Sequence, residues 1–364
     1  MTDDELAILW LDYFDFMSYK KKQNILDLFL SPSDLLYAEN IFDNSSKIRE
    51  ILNQDEFSII TSSLGRTFAE KLTEDLDKYN ISFTTLYSSD YPAFLKHIDT
   101  PPFVLYYQGN RSLFNSNCLA IVGSRHVTSY GKMVTEKFTK GLVEAGFTIV
   151  SGLANGVDTI AHSVTLDNHG KTIAILANGL PDIYPPTNTM LAKRILENDG
   201  LIATETRPHK HPEAYMFPIR NRIISALCKG VLVTEAQEKS GVIHTKNYAL
   251  EYGKDVFAVP GSIFNISSVG SNRMIANNQA KAVLDIEDVL REYNIEYRTV
   301  QQEMPLIEGS SESVILNILK NGEKSFQEIC DLSKLNAKEI NSVLTLLAIK
   351  GKVKKMAGNV YFLC

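Results

Sequence analysis

Cysteine is sparse in this 364-residue sequence: Cys118, Cys228, Cys330 and Cys364 are far apart, and no two form a C-x-x-C pair. That spacing suits reduced thiols in a cytoplasm better than a disulfide framework or a thiolate zinc site. Long apolar runs are also missing. None approaches the ~20 residues a bilayer-spanning helix needs, and the acidic start Asp3-Asp4-Glu5 is unlike a signal peptide. A cytoplasmic protein without a membrane segment is expected. The usual nucleotide motifs are missing as well. Gly123 is followed by Ser124-Arg125-His126, so G-x-G-x-x-G is absent, and Gly170-Lys171-Thr172 lacks the leading glycine of a P-loop, with Thr165 in its place. No dinucleotide or triphosphate cofactor is expected. His209-x-His211 has no third ligand and makes a poor metal site. Asp158 and His162, four apart on a helix face, imply no nucleophile, and Asp158 reads most simply as a first-turn carboxylate facing the helix dipole.

Positive charge is short only in one part of the chain. The net charge of −6 hides an asymmetry, since residues 1–80 hold 16 acidic and 8 basic side chains and the rest hold 27 and 29. A nucleic-acid partner is therefore not excluded. With 44% hydrophobic and 22% charged residues, the composition is that of a globular protein with room for two or three domains.

What the chain does have is a regular alternation built around residues 119–162. An apolar run at 119–122 ends in Gly123; a helix over 132–144 is stopped by Gly146; a second run at 147–150 ends in Ser151-Gly152, and a second helix starts near Gly156. This is strand, loop, helix, twice over, with both loops at the carboxyl ends of neighbouring parallel strands, where ligands of open α/β sheets bind. Gly123 and Gly152 have no side chain, so a ligand can approach the backbone there, and the helix N-termini and Arg125 suit an anion. The bland reading is two ordinary tight turns. Further strands fit 103–107, 172–177, 201–204, 230–235, 255–259 and 282–284, with helical segments around 187–197, 218–228 and 241–252. Short connections of this kind predict an open parallel sheet covered on both faces.

Around that core the spacing predicts four segments. Residues 1–80 read as a small all-helical domain, SAM-like or helix-hairpin-helix-like, with helices over 4–16, 20–29, 33–37, 47–52 and 56–79 and Gly65 as a possible interruption of the last. Its acidity favours protein contacts over DNA, and Lys20-Lys21-Lys22 reads as a solvated helix start. Residues 81–292 form the Rossmann-like domain and 293–310 a linker. Residues 311–364, with eight lysines against five acidic residues, show three helices and a hairpin in winged-helix order. Ser325/Glu328 and Asn336/Glu339 look like capping boxes. The third helix offers Lys338, Asn341, Ser342 and Thr345, a sparse set for reading bases.

Two further stretches carry chemistry. In residues 216–224, Pro218 suits a helix start, which would put Arg220, Asn221 and Arg222 in the first turn, beside an aromatic ring. Ring stacking with cations on the backbone is how single strands are held. Equally, Phe217 could be a hydrophobic staple, with the arginines paired to Glu205 or Glu235. Upstream, His209, Lys210 and His211 add positive character. In residues 233–241, a strand end leads through Ser240-Gly241, which resembles an anion nest, into a helix carrying Thr245 and Lys246. Three such loops on one sheet edge make a groove, a shape that suits a polymeric anion.

The ordered segments AIVGSRHVTSYG, VSGLANGVDTIAH, GKTIAILANGL with IYPPTN, FPIRNRII, VTEAQEKSGVIHT and DVFAVPG, preceded by DYPAFLKHIDTPPFVLYYQGN, resemble the DNA-processing protein A (DprA, or Smf) family over residues 81–285. The resemblance implies an extended Rossmann-like domain that binds single-stranded DNA without known catalysis. It implies a homodimer through that domain, and protection of incoming DNA with loading of the RecA recombinase during natural transformation. The family's DNA-binding loops fall here on Gly123, Ser124, Arg125, Gly152, Phe217, Arg220, Asn221, Arg222, Ser240 and Gly241, with Lys246 added from the adjoining helix. Two segments depart from the family pattern, Ala177-Asn178-Gly179 and residues 207–211, and both are expected at the groove rim. The rival is a nucleotide-processing enzyme on a related fold, the phosphoribohydrolases. Their glycine-rich loop with its closely following Glu is not matched by residues 239–245.

Overall fold

A computed structural model describes residues 1–295, 310–349, 351–356 and 358–363. They form two compact units, Met1–Tyr297 and Arg298–Cys364. Most of the linker expected at 293–310 lies outside the described residues.

The first unit opens with α1 (Asp3–Tyr13), started by a reciprocal capping box in which Glu5 N donates to Thr2 Oγ1 at 3.2 Å and Thr2 N to Glu5 Oε2 at 2.7 Å. Leu6 through Leu11 are all buried, so this helix is apolar all round and forms a core. Five more helices wrap it: α2 (Tyr19–Leu26), α3 (Ala38–Asp43), α4 (Ser45–Ile51), α5 (Gln54–Ser62) and α6 (Arg66–Lys78). Gly65, at φ +98°, splits α5 from α6 in a conformation that glycine adopts freely. The lysine run is not solvated as the sequence suggested. Lys21 pairs with Glu56, and Lys22 is buried against Asp12, both at 2.7 Å. Nor is there a break in packing at residue 80. Leu6, Trp10 and Leu35 share one apolar core with Val104, Tyr106 and Ile202 of the sheet, because five short helices cannot close a core of their own around α1.

The sheet follows: β1 (Ser82–Thr85), β2 (Val104–Gly109), β3 (Cys118–Val122), α7 (Ser129–Glu144), β4 (Thr148–Ser151), α8 (Val157–Asp167), β5 (Thr172–Ile175), α9 (Thr189–Glu197), β6 (Leu201–Thr204), α10 (Met216–Leu227), β7 (Gly230–Val233), α11 (Val242–Glu251), β8 (Asp255–Ala258), α12 (Val269–Ala276), β9 (Lys281–Ala282) and α13 (Ile286–Glu292). Its order is β1-β2-β6-β5-β4-β3-β7-β8-β9. β1 and β2 are antiparallel additions at one edge, and the other strands are parallel. β1 was not legible in the sequence. It is four residues long and binds only through β2. Alternate residues of β3 go to opposite faces. Ala120 and Val122 pack towards Ile223 and Leu227 of α10, while Leu119 and Ile121 meet Phe138 and Leu142 of α7 and Val157 of α8. The chain winds outward from β3 to β6, then returns to place β7 on the other side of β3. The crevice between β3 and β7 is therefore the topological switch point.

The second unit is α14 (Ser311–Leu319), β10 (Lys324–Ser325), α15 (Phe326–Ser333), α16 (Ala337–Ile349), β11 (Val353–Met356) and β12 (Val360–Leu363), with strands ordered β10-β12-β11. This is the element order of a winged helix. Ser325 and Glu328 form the expected capping box, and Glu339 N donates to Asn336 Oδ1 at 2.9 Å. Ile315, Leu319, Ile329, Ile340, Leu344 and Tyr361 make a core of its own.

Candidate nucleic-acid interface

An open groove of ≈ 630 Å³ lies at the switch point. Its walls come from the ends of several strands: Ser124 and Arg125 after β3, Ala154 after β4, Tyr184 after β5, Phe217 and Asn221 on α10, and residues 239–241 after β7. The loops are tied to one another. Ser124 N donates to Glu235 O at 2.8 Å, Val157 N donates to Ser124 O at 3.1 Å, and Thr128 N donates to Glu235 Oε2 at 2.9 Å. These hydrogen bonds from backbone N–H groups fix the strand-end loops against one another.

The glycines do a different job from the one their sequence suggested. A Cβ on Gly123 would meet Val157 Cγ2 at 2.5 Å, one on Gly152 would meet the Arg220 guanidinium at 2.5 Å, and one on Gly156 would meet Ser124 O at 2.2 Å. They allow strand ends and loops to close on each other; room for a ligand is offered by Gly241, with nothing within 4 Å. Gly241 has right-handed helical angles (φ −58°, ψ −18°), so Ser240-Gly241 is the start of α11 and lacks the alternating handedness of a nest.

α10 starts at Met216, two residues before Pro218. Arg220, Asn221 and Arg222 consequently fall in its second turn, and their side chains diverge. Arg220 is buried beneath the groove, where Nη1 donates to Gly152 O at 2.9 Å and to Ile175 O. Burial, with Arg125 close by, brings its guanidinium down to about 10. It is a strut joining α10 to the ends of β4 and β5. Asn221, half-buried, reaches Gly241 O at 3.4 Å. Arg222 leaves the groove altogether. It is buried on the other side of α10 and paired with Glu205, as the pairing alternative had it. Lys246 also points elsewhere; it is buried, and Nζ donates to Gln279 Oε1 at 3.2 Å. Segment 207–211 docks on the helical layer, with Arg207 and Lys210 3.1 and 3.2 Å from Asp15 and His209 3.5 Å from Asp75. Its positive charge is spent there, away from the groove.

Three side chains stay at the rim. The Phe217 ring is half-buried and belongs to none of the apolar cores of the described residues. It lies 5.7 Å from the ring of Tyr184 and 5.3 Å from the guanidinium carbon of exposed Arg125. Tyr184 escaped the sequence reading, although the quoted IYPPTN segment held an aromatic that could have marked it. Lys239 and His126, both exposed on the groove wall, were missed too. Below them, Asp158 accepts from Gly152 N at 3.0 Å and Ala154 N at 3.3 Å, so it caps a loop as well as opening α8. Burial pushes its carboxyl up.

A doubly wound sheet carrying a cation- and ring-lined groove across several strand ends defines a binding protein for extended anionic ligands. The profile of the DNA recombination-mediator protein A family matches residues 82–294, and the chain belongs to that family. The DNA processing protein DprA of Bacillus subtilis is 37% identical over 279 residues, covering 74% of this chain and 93% of the relative. That of Streptococcus pneumoniae is 43% identical over 222 residues, 61% of this chain and 77% of the relative. The X-ray structure of the pneumococcal protein superposes with a TM-score of 0.66 at 33% identity, covering 82% of this chain and 99% of that one. A DprA structure from Helicobacter pylori that shows that protein's single-stranded DNA binding mode gives 0.54 at 30% identity, covering 60% and 98%. Among the described residues no helix is long and apolar enough to cross a membrane.

Proposed function

We propose that this protein is a cytoplasmic recombination mediator that holds single-stranded DNA in the switch-point groove and passes it to the RecA recombinase. The observation that carries this is the trio of Tyr184, Phe217 and Arg125, an aromatic pair with an exposed cation over one ring. Bases stack on such rings while cations meet the backbone. Ser124, Arg125, Phe217, Asn221, Ser240 and Gly241 face the strand, with Tyr184 and Lys239 beside them. Gly123, Gly152 and Arg220 shape the floor, and Arg222 and Lys246 are released from the role the resemblance implied. No catalysis is proposed. Asp158 and Glu235, the carboxylates under the groove, are engaged by backbone amides, which supports a binding role over the phosphoribohydrolase alternative.

A homodimer is part of the same proposal. Ile263, Phe264 and Ile266 are 78%, 94% and 73% exposed, with Leu284 at 70%. The ends of that loop are pinned by hydrogen bonds from Tyr130 Oη to Pro260 O (2.6 Å) and between Gly261 and Asn272. A held loop that presents three large apolar side chains suits a second copy of the chain.

Gel shifts with labelled single and double strands at two salt concentrations test the DNA arm. Arg125→Ala should weaken single-strand binding for all sequences and flatten the log–log salt slope by about 0.7. Phe217→Ala should cost ~1–3 kcal/mol of affinity while the melting temperature barely moves. A large melting loss with normal affinity per folded molecule would instead make Phe217 a core residue.

A further inference from the structure

The opposite side of α10 bounds a second cavity, of ≈ 610 Å³, between that helix, α11, the segment before β2 and the first helical layer. Its size falls in the range of small-ligand sites, and such sites are mostly lined by rings with a few placed polar groups. Rings are what this one has. Tyr215, 56% exposed, stands at the N-terminus of α10. Tyr248 on α11 and Tyr252 at its C-terminal cap are stacked 6.0 Å apart at 21°, and Tyr19 and Phe103 face each other at 5.0 Å on the remaining wall.

The charges of this cavity argue against a phosphate. Lys22, Arg207, Lys210 and Arg222 each pair with a carboxylate, and Asp99 and Glu251 add negative charge to the lining. An uncharged heterocycle pays no such penalty. One polar group is placed among them. Glu205 lines the cavity, partly exposed beside buried Arg222. Its carboxylate can accept from the amino or imino N–H of a nucleobase edge.

We infer that this cavity takes an unpaired nucleobase, either the next base of the strand held in the groove or a free nucleoside. The first source rests on the groove proposal above. Phe217 and Tyr215 hang from the same turn at the start of α10 but face its two sides, so a strand stacked on Phe217 that crosses the helix N-terminus presents its following base to Tyr215.

The test uses the full chain, with oligonucleotides of roughly six and roughly fifteen nucleotides to bracket one and two subsites. Tyr215→Ala and Tyr248→Ala should leave the short strand within twofold and weaken the long one about tenfold, and Tyr215→Phe should restore it. In parallel, adenosine, guanosine, cytidine and thymidine are titrated and followed by saturation-transfer NMR. A nucleoside signal lost in Tyr215→Ala, with oligonucleotide affinities unchanged, assigns the cavity to the free source. Equal weakening of both lengths overturns the inference, as does no change in either length together with no nucleoside signal. Phe217→Ala is the control for the groove. If it weakens neither length the groove proposal fails, and the nucleoside titration then decides on the cavity alone.

Discussion

His162 shows how one buried residue sets a property of the whole chain. Its ring is fully buried, with Nδ1 2.7 Å from Thr172 Oγ1 and Nε2 without a partner among the described residues. Burial first, and then Arg220, brings its pKa down from 6.5 to about 3. The unfolded chain therefore binds this proton below about pH 6.5 and the folded chain does not. Stability is full above 6.5 and is lost as pH falls towards 3, at about 1.4 kcal/mol per unit. Asp158, whose carboxyl is raised by burial, has the opposite sign and offsets part of the loss in the acid range. Denaturant unfolding at pH 8, 6.5 and 5 should show the decline, and His162→Gln, which does not titrate, should flatten it. An equally steep decline in the variant would show that other groups carry the acid sensitivity.

At the scale of elements, α10 and the second unit are the informative cases. α10 is a shared wall: Phe217 and Asn221 line the groove, Tyr215, Ile219 and Arg222 line the second cavity, and Arg220 borders both. Helical periodicity separates the two sets, but the periodicity has to be counted from the true helix start, and Pro218 as first residue put that start two positions late. In the second unit, α16 exposes Lys338, Asn341, Ser342 and Thr345 together with Leu346 and Ile349. That face has one cation and little to read bases with. A chain ending at Glu308 should fold and retain most single-strand affinity, because α14, α15, α16, β11 and β12 close a core of their own. Loss of binding with an unchanged melt of the truncated chain would place a principal DNA site in the tail.

For the whole molecule, the exposed apolar loop and the groove belong to the same sheet domain. Phe264→Glu should convert a dimer to a monomer in sedimentation velocity and remove any concentration dependence of the melting temperature while the fold stays intact by circular dichroism, since a 94% exposed ring supports no core. A monomeric parent protein, or a dimer untouched by the substitution, would remove that loop from the interface. Single-strand affinity of the monomer for short oligonucleotides should persist, because the groove is complete within one chain.

Much of this was legible in the residues alone. Apolar runs ending in glycine, separated by helical periodicity, announced a doubly wound parallel sheet, because buried parallel strands must be apolar on both faces and their connections short. Ordered strand-end segments announced the edge where a ligand binds. Side-chain direction was not legible. Arg220, Arg222 and Lys246 read as groove cations and are buried struts or ion pairs. Gly123 and Gly152 read as open approaches and are close packings. The reason is physical: a charge seen in sequence has no partner until tertiary packing brings one, and Glu205, Gln279 and Gly152 O lie 17, 33 and 68 positions away. The same packing merged residues 1–80 with the sheet, since an apolar helix such as α1 is stable only inside a core that distant strands help to close.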